Sequence, residues 1–254
     1  MVKNKHKSGI PGRAMILAAG KGRRLQPITN DLPKALVKVG EKTMLQHSIE
    51  HLKQSGFDQL IINLHHFSGQ IKQYLREHKN FGADIAFSEE KFQLLDTGGG
   101  LKHASWFFQT DNSFIIRNVD ILSNLNLSHL YHFHEKQQAM ATLVVRRRES
   151  SRYLLFDNDN TLCGWENIIT GEKKIIRHVK AYQRLAFSGI HISNPLIFNK
   201  MPVKSVFSIL DVYLEAAAKH NIIAYIDENA YWFDIGNLEK LEKARRFFRN
   251  NEKS

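Results

Sequence analysis

The stretch L-A-A-G-K-G-R-R-L-Q-P-I-T, residues 17–29, joins an apolar run to a loop rich in glycine, arginine and proline. Residues 14–19 are continuously apolar and end at Gly20, which is the pattern of a strand buried on both faces. No helix follows at once, because Pro33 interrupts the chain before Thr43, a residue that can cap a helix with its side chain. A strand, a long loop and a helix in this order predict the first unit of an α/β sheet.

Strand and helix patterns alternate up to about residue 145 and then change. The strand-like runs are 59–64, 84–87, 113–118 and 141–145, and the helices between them begin at Ser68 as a cap, after Gly98-Gly99-Gly100 and near Leu127. Such alternation predicts a mostly parallel sheet. Beyond Arg146 the pattern is mixed, with strands at 153–156, 162–165, 185–192 and 222–226 and helices near 207–219 and 238–248. We predict one domain over residues 14–254 behind a basic tail at 1–13.

The charge of the chain favours anionic partners. Its 254 residues contain 36 Lys and Arg against 25 Asp and Glu, a formal net charge of +11. Part of the excess lies near the ends, at Lys3, Lys5, Lys7, Arg13, Arg245, Arg246, Arg249 and Lys253. Charge alone does not separate nucleic acid from nucleotide, but the sequence contains no recognised RNA-binding motif. We therefore expect no nucleic-acid partner.

The same composition indicates the compartment. A single cysteine, Cys163, cannot form an internal disulfide, which is typical of a reducing environment. The run 14–19 is shorter than the roughly 7–15 apolar residues of a signal peptide, and nothing approaches the roughly 18 of a membrane span. We predict a soluble cytoplasmic protein without a membrane partner, either a monomer or a small homo-oligomer.

The loop after the first strand carries groups that suit phosphate. Gly20 and Gly22 allow backbone N–H groups to approach an oxyanion, while Arg24 offers a two-pronged guanidinium and Lys34 a mobile charge. A dinucleotide fingerprint would need a third glycine where Leu25 stands. The pattern favours a triphosphate cradle, and the alternative is an ordinary basic surface loop.

The stretch 17–29, followed by Pro33-Lys34, resembles the signature L-A-A-G-x-G-x-R-L-x-P-x-T and P-K of the sugar-1-phosphate nucleotidylyltransferases. The resemblance continues in order as far as Asp234. It implies a Rossmann-like three-layer α/β/α fold with a mostly parallel, mixed central sheet. It also implies transfer of a nucleoside monophosphate from a nucleoside triphosphate to a sugar-1-phosphate, with release of pyrophosphate.

The resemblance also implies how the chain is divided into parts and which residues bind the nucleotide. It implies a nucleotide-binding part at about 14–145, a sugar-binding insertion at about 146–236 and a C-terminal helix at about 237–250. Arg24 is expected on the leaving phosphates and Lys34 near the α-phosphate, as the catalytic residues. The nucleotide-binding residues implied by the signature are Leu17, Ala18, Ala19, Gly20, Lys21 and Gly22.

The segment Asp96-Thr97-Gly98-Gly99-Gly100 has glycines that lie flat against a planar base or simply turn the chain into a helix. It resembles most closely the form found in N-acetylmuramate-1-phosphate uridylyltransferases, which implies a nucleobase pocket at Thr97, Gly98 and Gly99 and favours UTP. Guanylyl or cytidylyl transfer to mannose-1-phosphate, heptose-1-phosphate or phosphocholine stays open. So does a non-catalytic nucleotide-sugar binding protein.

Two acidic residues are candidate metal ligands. Asp120 follows an apolar strand, at the edge where open α/β sheets bind ligands, although a turn cap is an alternative. Asp234 lies within the aromatic run Tyr231-Trp232-Phe233, where an acid needs a partner or a metal. The family resemblance implies that both bind Mg²⁺, although Val119 stands where the family more often has a small residue.

The sugar side departs from the family. Many relatives carry an E-K-P segment that holds the sugar phosphate, and Glu172-Lys173-Lys174 is the nearest match here. The candidate sugar-binding residues are Asn118, Glu166, Asn167 and Gly189. Arg146-Arg147-Arg148 is interpreted as a phosphate-steering cluster or a solvated strand end. His129, His132 and His134 suggest zinc, but only the first two share a helical face and no cysteine or fourth ligand accompanies them.

Overall fold

The computed structural model describes residues 12–251, so Lys3, Lys5, Lys7 and Lys253 of the two basic ends lie outside the described residues. The strands are β1 (Arg13–Leu17), β2 (Lys38–Val39), β3 (Lys42–Thr43), β4 (Gln59–Leu64), β5 (Asp84–Glu89), β6 (Phe114–Asn118), β7 (Ile121–Ser123), β8 (Ala141–Arg146), β9 (Arg152–Phe156), β10 (Leu162–Asn167), β11 (Lys173–Ile175), β12 (Gln183–Ser193), β13 (Ile222–Ile226) and β14 (Trp232–Asp234). The helices are α1 (Met44–Gln54), α2 (Ser68–Glu77), α3 (Asp96–His103), α4 (Leu127–Gln137), α5 (Ile209–Ala217) and α6 (Leu238–Asn251).

One mixed sheet organises these elements. Its strand order is β11-β10-β9-β12-β6-β1-β4-β5, and β8 pairs with both β12 and β13. β1 is parallel to β4 and β6, β4 is parallel to β5, and β8 is parallel to β13. β12 runs antiparallel to its neighbours and joins the second half of the chain to the first. The carboxyl ends of β1, β4 and β6 therefore meet at one edge, where ligands bind in open α/β sheets.

Both faces of the central strands are buried, as their continuous apolar sequences predict. Ala14 and Ile16 pack into one hydrophobic cluster with α1, α2 and α6, whereas Met15 between them packs into a second cluster with α3 and α5. In β4, Leu60 and Ile62 likewise pack into the first cluster and Ile61 packs into the second. Alternate side chains of a strand point to opposite faces, so helices cover the sheet on both sides. The predicted three-layer α/β/α fold is confirmed.

Three local predictions are corrected. The first strand ends at Leu17 rather than Ala19, because the N–H of Ala18 donates to Asn63 Oδ1 at 2.8 Å instead of to a neighbouring strand. Ser68 is the first residue of α2 and not its cap, since Phe67 with a φ of 56° precedes the helix. The glycine triplet lies inside α3 and does not form a turn ahead of it.

The histidines of α4 do not form a metal cluster. His134 is buried and contacts Thr142 Oγ1 at 2.8 Å and Ser113 Oγ at 3.1 Å, whereas His129 and His132 are exposed. Within residues 12–251 no three His, Cys, Asp or Glu side chains are grouped to hold a metal ion. In the same range, no helix has the length and apolar character needed to cross a membrane.

His134 is expected to make the protein less stable in acid. Burial lowers its pKa to about 4, so the folded state keeps the ring neutral while the unfolded chain binds a proton below the ordinary pKa of 6.5. The free energy of unfolding should therefore fall as the pH decreases from 6.5 towards 4. In urea titrations at pH 7, 6 and 5, His134→Gln should reduce this slope by up to about 1.4 kcal/mol per pH unit. The exposed control His132→Gln should keep it, and equal slopes for both variants would contradict the assignment.

Candidate active site

A cleft of about 330 Å³ opens at the carboxyl edge of the parallel strands. The residues from the end of the first strand and its loop that line it are Leu17, Ala19, Gly20, Gly22, Arg23, Arg24 and Lys34. Lys21 is exposed and does not line this cleft, and Ala18 contributes through its backbone bond to Asn63. The loop forms only a short 3-10 turn at Arg23–Leu25 before the chain continues, so it does not open into a long helix, as the prolines predict.

Gly22 fixes the shape of the loop. Its φ is +64°, a region that favours glycine, and Thr29 Oγ1 donates to its carbonyl oxygen at 2.9 Å. A Cβ atom at Gly22 would lie 3.1 Å from Thr29 Cγ2 and 3.2 Å from Lys34 Cβ. The glycine therefore lets Lys34 pack close to the loop and reach into the cleft.

The two predicted acidic residues approach the cleft through one pair of strands. β14 pairs antiparallel with β7, with Asp234 opposite Ile121, and the N–H of Ile235 donates to the carbonyl oxygen of Asp120 at 2.9 Å. Asp120 lines the cleft and forms an ion pair with Lys34. Asp234 Oδ2 lies 2.7 Å from Lys240 Nζ. The sequence predicts both acids, but the strand pair that joins them appears only in the structure.

Arg24 reaches the same corner from the other wall. Gly236, which follows β14, lines the cleft, and a Cβ atom there would lie 3.0 Å from Asp234 Oδ1 and 3.5 Å from Arg24 Nη2. No carboxylate of residues 12–251 lies within ion-pair distance of Arg24. Arg24 is also exposed, so its guanidinium is available to an anion at the mouth of the cleft.

The donor set fits a magnesium ion. Carboxylate oxygens are hard ligands, and Mg²⁺ is usually bound by one or two carboxylates together with water and substrate phosphates. Asp120 and Asp234 are the residues that would hold it. Because the described residues contain no group of three candidate ligands, the remaining positions would be filled by phosphate oxygens and water. Lys34 and Lys240 otherwise neutralise the two carboxylates.

A buried arginine, which sequence reasoning missed as a site residue, supports the turn that carries Asp120. Arg117 is 1% exposed; its Nη2 donates to Ile121 O at 2.6 Å and its Nη1 lies 2.9 Å from His51 Nδ1. Burial lowers the pKa of Arg117 to about 10, so it stays charged at neutral pH. Burial and the charge of Arg117 lower the pKa of His51 to about 4, so its neutral ring accepts this hydrogen bond and donates to Leu125 O.

A second missed network connects the first loop to α3. Asn63, at the end of β4, accepts from the N–H of Ala18 and donates to Glu90 Oε1 at 2.7 Å. The other oxygen of Glu90 accepts from the N–H of Leu95 at 2.8 Å. Polar residues at the carboxyl ends of two adjacent apolar strands were the available signal, because those ends share the ligand edge.

Comparison with known proteins places this geometry in a family. A sequence model described as nucleotidyl transferase matches residues 13–251. The chain belongs to the nucleotidyl transferase family. The resemblance to sugar-1-phosphate nucleotidylyltransferases and the predicted enzyme class, a nucleotidyltransferase, are confirmed.

Individual relatives differ in the substrates that their names state. The chain is 28% identical to a UTP–glucose-1-phosphate uridylyltransferase of Synechocystis over 92% of its own length, but spans only 62% of that relative. It is 29% identical to an N-acetylmuramate alpha-1-phosphate uridylyltransferase of Caulobacter vibrioides, covering 91% of this chain and 94% of the relative. It is 28% identical to a mannose-1-phosphate guanyltransferase of Yarrowia lipolytica, covering 88% of this chain and 60% of the relative.

Solved structures agree with the fold. A putative glucose-1-phosphate thymidylyltransferase from Bacillus anthracis superposes with a TM-score of 0.77 at 18% identity, covering 94% of this chain and 95% of that one. A UDP-glucose pyrophosphorylase superposes with a TM-score of 0.75 at 17% identity, covering 94% and 99%. These similarities confirm the Rossmann-like architecture.

The structure separates the residues predicted to bind the base. Thr97 lines the cleft, and its Oγ1 also accepts from the N–H of Ile209 at 3.0 Å. Gly98 and Gly99 are buried behind it, and their N–H groups donate to Phe207 O at 3.0 and 3.2 Å. These two glycines do not line the nucleotidyltransferase cleft; they allow the segment before α5 to pack directly against α3.

The predicted sugar residues are separated as well. Asn118 lines the cleft, and Gly189, with a φ of +76°, lies so close that an added Cβ would be 2.9 Å from Asn118 Nδ2. Glu166 is buried in an ion pair with Arg184. Asn167 Oδ1 accepts from the N–H groups of Ile169 and Thr170 in its own turn. The structure therefore brings Asn118 and Gly189 together, and it gives Glu166 and Asn167 partners away from the cleft.

Proposed function

We propose that this nucleotidyltransferase joins UTP to an N-acetylated hexose-1-phosphate such as N-acetylmuramate-1-phosphate, with Mg²⁺, to give a UDP-sugar and pyrophosphate. The observation that carries the proposal is that Arg24, Lys34 and Asp120 line one cleft, while the β7–β14 pair and the bond from Ile235 N to Asp120 O connect Asp234 to the same turn. The choice of acceptor is supported by relatives named N-acetylmuramate alpha-1-phosphate uridylyltransferase, from Caulobacter vibrioides and Neisseria meningitidis, of which this chain covers 94% and 96%.

In this reaction a phosphate oxygen of the sugar-1-phosphate attacks the α-phosphorus of UTP. The bond from that phosphorus to the oxygen bridging the β-phosphate breaks, and pyrophosphate leaves with the electron pair. No covalent bond to the protein forms. The protein therefore acts by positioning the two phosphates in line and by compensating negative charge.

Each of the four residues has a place in this scheme. Arg24, which has no carboxylate partner within residues 12–251, binds the β- and γ-phosphates of the leaving group with its planar donors. Lys34 lies deeper in the cleft and stabilises charge on the α-phosphate, and Asp120 orients its ammonium group. Asp120 and Asp234 would hold Mg²⁺, which when bound neutralises phosphate charge and makes the α-phosphorus more electrophilic.

The network of Asn63 and Glu90 supports nucleotide binding because it fixes the distance between the first loop and the segment before α3. It connects the first loop, which would contact phosphates, to the segment before α3, which would contact the base. The side of the cleft formed by Leu94, Asp96 and Thr97 is where the base is expected. Gly98 and Gly99 contribute indirectly, because their packing sets the position of Thr97.

A matrix of four nucleoside triphosphates and four sugar-1-phosphates tests the proposal. With Mg²⁺ present, we expect pyrophosphate release to be fastest with UTP and N-acetylmuramate-1-phosphate, among acceptors that include N-acetylglucosamine-, glucose- and mannose-1-phosphate. Chelation by EDTA should stop the reaction, and added Mg²⁺ should restore it. Faster release with GTP and mannose-1-phosphate would replace this assignment with the activity named for the Yarrowia relative. Nucleotide binding without any release would favour a nucleotide-sugar binding protein.

A further inference from the structure

Arg148 is the one member of its arginine triplet with a buried side-chain donor that lacks a hydrogen-bond partner among the described residues. Arg146 Nη1 lies 2.6 Å from Asp227 Oδ2, and Arg147 forms an ion pair with Glu228. Arg148 has no carboxylate within ion-pair distance among residues 12–251, and its Nε is buried without a hydrogen-bond partner. A buried guanidinium donor with no acceptor is destabilising unless a ligand supplies one.

The orientation of Arg148 is fixed by its neighbours. Its guanidinium carbon lies 4.4 Å from the centre of the Trp232 ring, and its Nη2 donates to Phe187 O at 3.0 Å. Trp232 is held in turn, because its Nε1 donates to Ser188 O at 2.9 Å. An arginine stacked on an aromatic ring is preorganised for planar recognition of an oxyanion.

These neighbours place Arg148 next to the reacting corner of the cleft. Trp232 belongs to the same short strand as Asp234, whose charge acts on Arg148, although burial gives Arg148 a lowered pKa overall. Ser188 precedes Gly189, which lies against Asn118 on the wall of the nucleotide cleft.

A second cavity, of about 350 Å³, has Arg148 in its lining. It is lined by Tyr153, Trp165 and Phe187, aromatic surfaces of the kind that pack against a sugar ring. Lys174 also lines this cavity, but its ammonium lies 3.7 Å from Asp211 Oδ1 and half of its side chain is exposed. Arg152 lines the cavity too, but Arg148 is the cation that stacks on Trp232, in the strand of Asp234.

We propose that Arg148 binds the phosphate of the sugar-1-phosphate acceptor, with the sugar ring in the cavity lined by Tyr153, Trp165 and Phe187. The inference rests on the proposed function and names a residue for a task that the missing E-K-P segment leaves open. Nη2 stays on Phe187 O and Nη1 on Glu149 O, 3.1 Å away, and the second N–H group of Nη1 or Nη2 donates to the phosphate. The acceptor oxygen is then held on the Asp234 side of the α-phosphorus.

Steady-state kinetics of Arg148→Ala test this role, with the sugar-1-phosphate of the matrix that the wild type turns over fastest. We expect the KM for that acceptor to rise about 10- to 100-fold, as for loss of a charged hydrogen bond, while the KM for the nucleotide changes less than about twofold. Arg148→Lys should keep part of the acceptor affinity, because it retains the charge but not the planar fork. The matched control Arg147→Ala should behave as the wild type.

The outcomes separate this inference from the proposed function. A wild type that releases no pyrophosphate with any acceptor overturns both. An active wild type with unchanged acceptor KM in Arg148→Ala overturns only the role of Arg148. Equal rises in the KM values for acceptor and nucleotide also overturn it, since they indicate a general disturbance of the cleft. Nucleotide affinity measured by calorimetry, together with the melting temperature, shows whether the variant is folded.

Discussion

Replacing Asp120 by alanine is expected to reduce the turnover of pyrophosphate release by about 10²- to 10³-fold at saturating substrates. In the proposed mechanism the carboxylate has two tasks: it orients Lys34, and with Asp234 it would hold Mg²⁺. Its removal leaves Lys34 without its acidic partner and removes half of the protein's oxygen ligands for the metal. Charge compensation at the reacting phosphates is lost in both ways.

Asp120→Asn separates charge from shape, since it keeps the size of the side chain and one carbonyl oxygen. We expect it to lose nearly as much turnover as the alanine variant and to need more Mg²⁺ for half-maximal rate. The control Asp111→Ala removes an exposed acid on a distant loop and should keep wild-type turnover. Turnover of Asp120→Ala within threefold of the wild type would remove Asp120 from the proposed mechanism.

Gly99→Ala is expected to lower the free energy of unfolding by about 3 kcal/mol or more, at the upper end of the range for overpacking. An added Cβ would lie 2.0 Å from the carbonyl oxygen of Ser205 and 3.0 Å from Leu95 Cβ. This contact is with backbone, and the segment cannot simply withdraw, because Phe207 O accepts from the N–H groups of Gly98 and Gly99. The melting temperature should fall by roughly 6–12 °C.

Gly69→Ala is the matched control for this prediction. Gly69 lies in α2, where an added Cβ would have no heavy atom within 4 Å beyond its chain neighbours and its own helix backbone, so alanine should be neutral or stabilise the protein by about 0.5–1 kcal/mol. Calorimetric melting of the two variants beside the wild type makes the comparison. If Gly99→Ala melts with the wild type, α3 and the segment around Ser205 are not packed as described.

The sequence predicted the fold well where one physical signal dominates. β4 and β13 have the predicted bounds, because continuous apolar runs between polar residues leave a buried strand few alternatives. Thr43 caps α1 as expected, accepting from the N–H of Gln46 at 3.0 Å. The predicted start of α2 was wrong by one residue, because Ser68 is the first residue of the helix and not its cap. The residue that precedes the helix is Phe67, and the residue pattern does not predict its left-handed backbone.

For the candidate site, the sequence identified side chains better than their partners. Gly22, Arg24, Lys34, Asp120 and Thr97 all line the cleft, and each belongs to a motif that stands out in the sequence. Glu166 and the glycine pair 98–99 have partners that come from segments distant in sequence, and their burial could not be read from local pattern. The division into nucleotide-binding and sugar-binding parts, the oligomeric state and the cytoplasmic location stay predictions.

The bond between Asp120 O and Ile235 N has a consequence for how such a chain can diversify. It connects the two ends of the long segment 121–234, which begins and ends at the same corner of the cleft. The residues that line the cavity beside Arg148 all belong to this segment. Insertions, deletions and exchanged side chains in the middle of that segment leave the separation of the two acids unchanged. New acceptors can thus be acquired by mutation of one part of the gene while the chemistry inherited in the other part stays fixed.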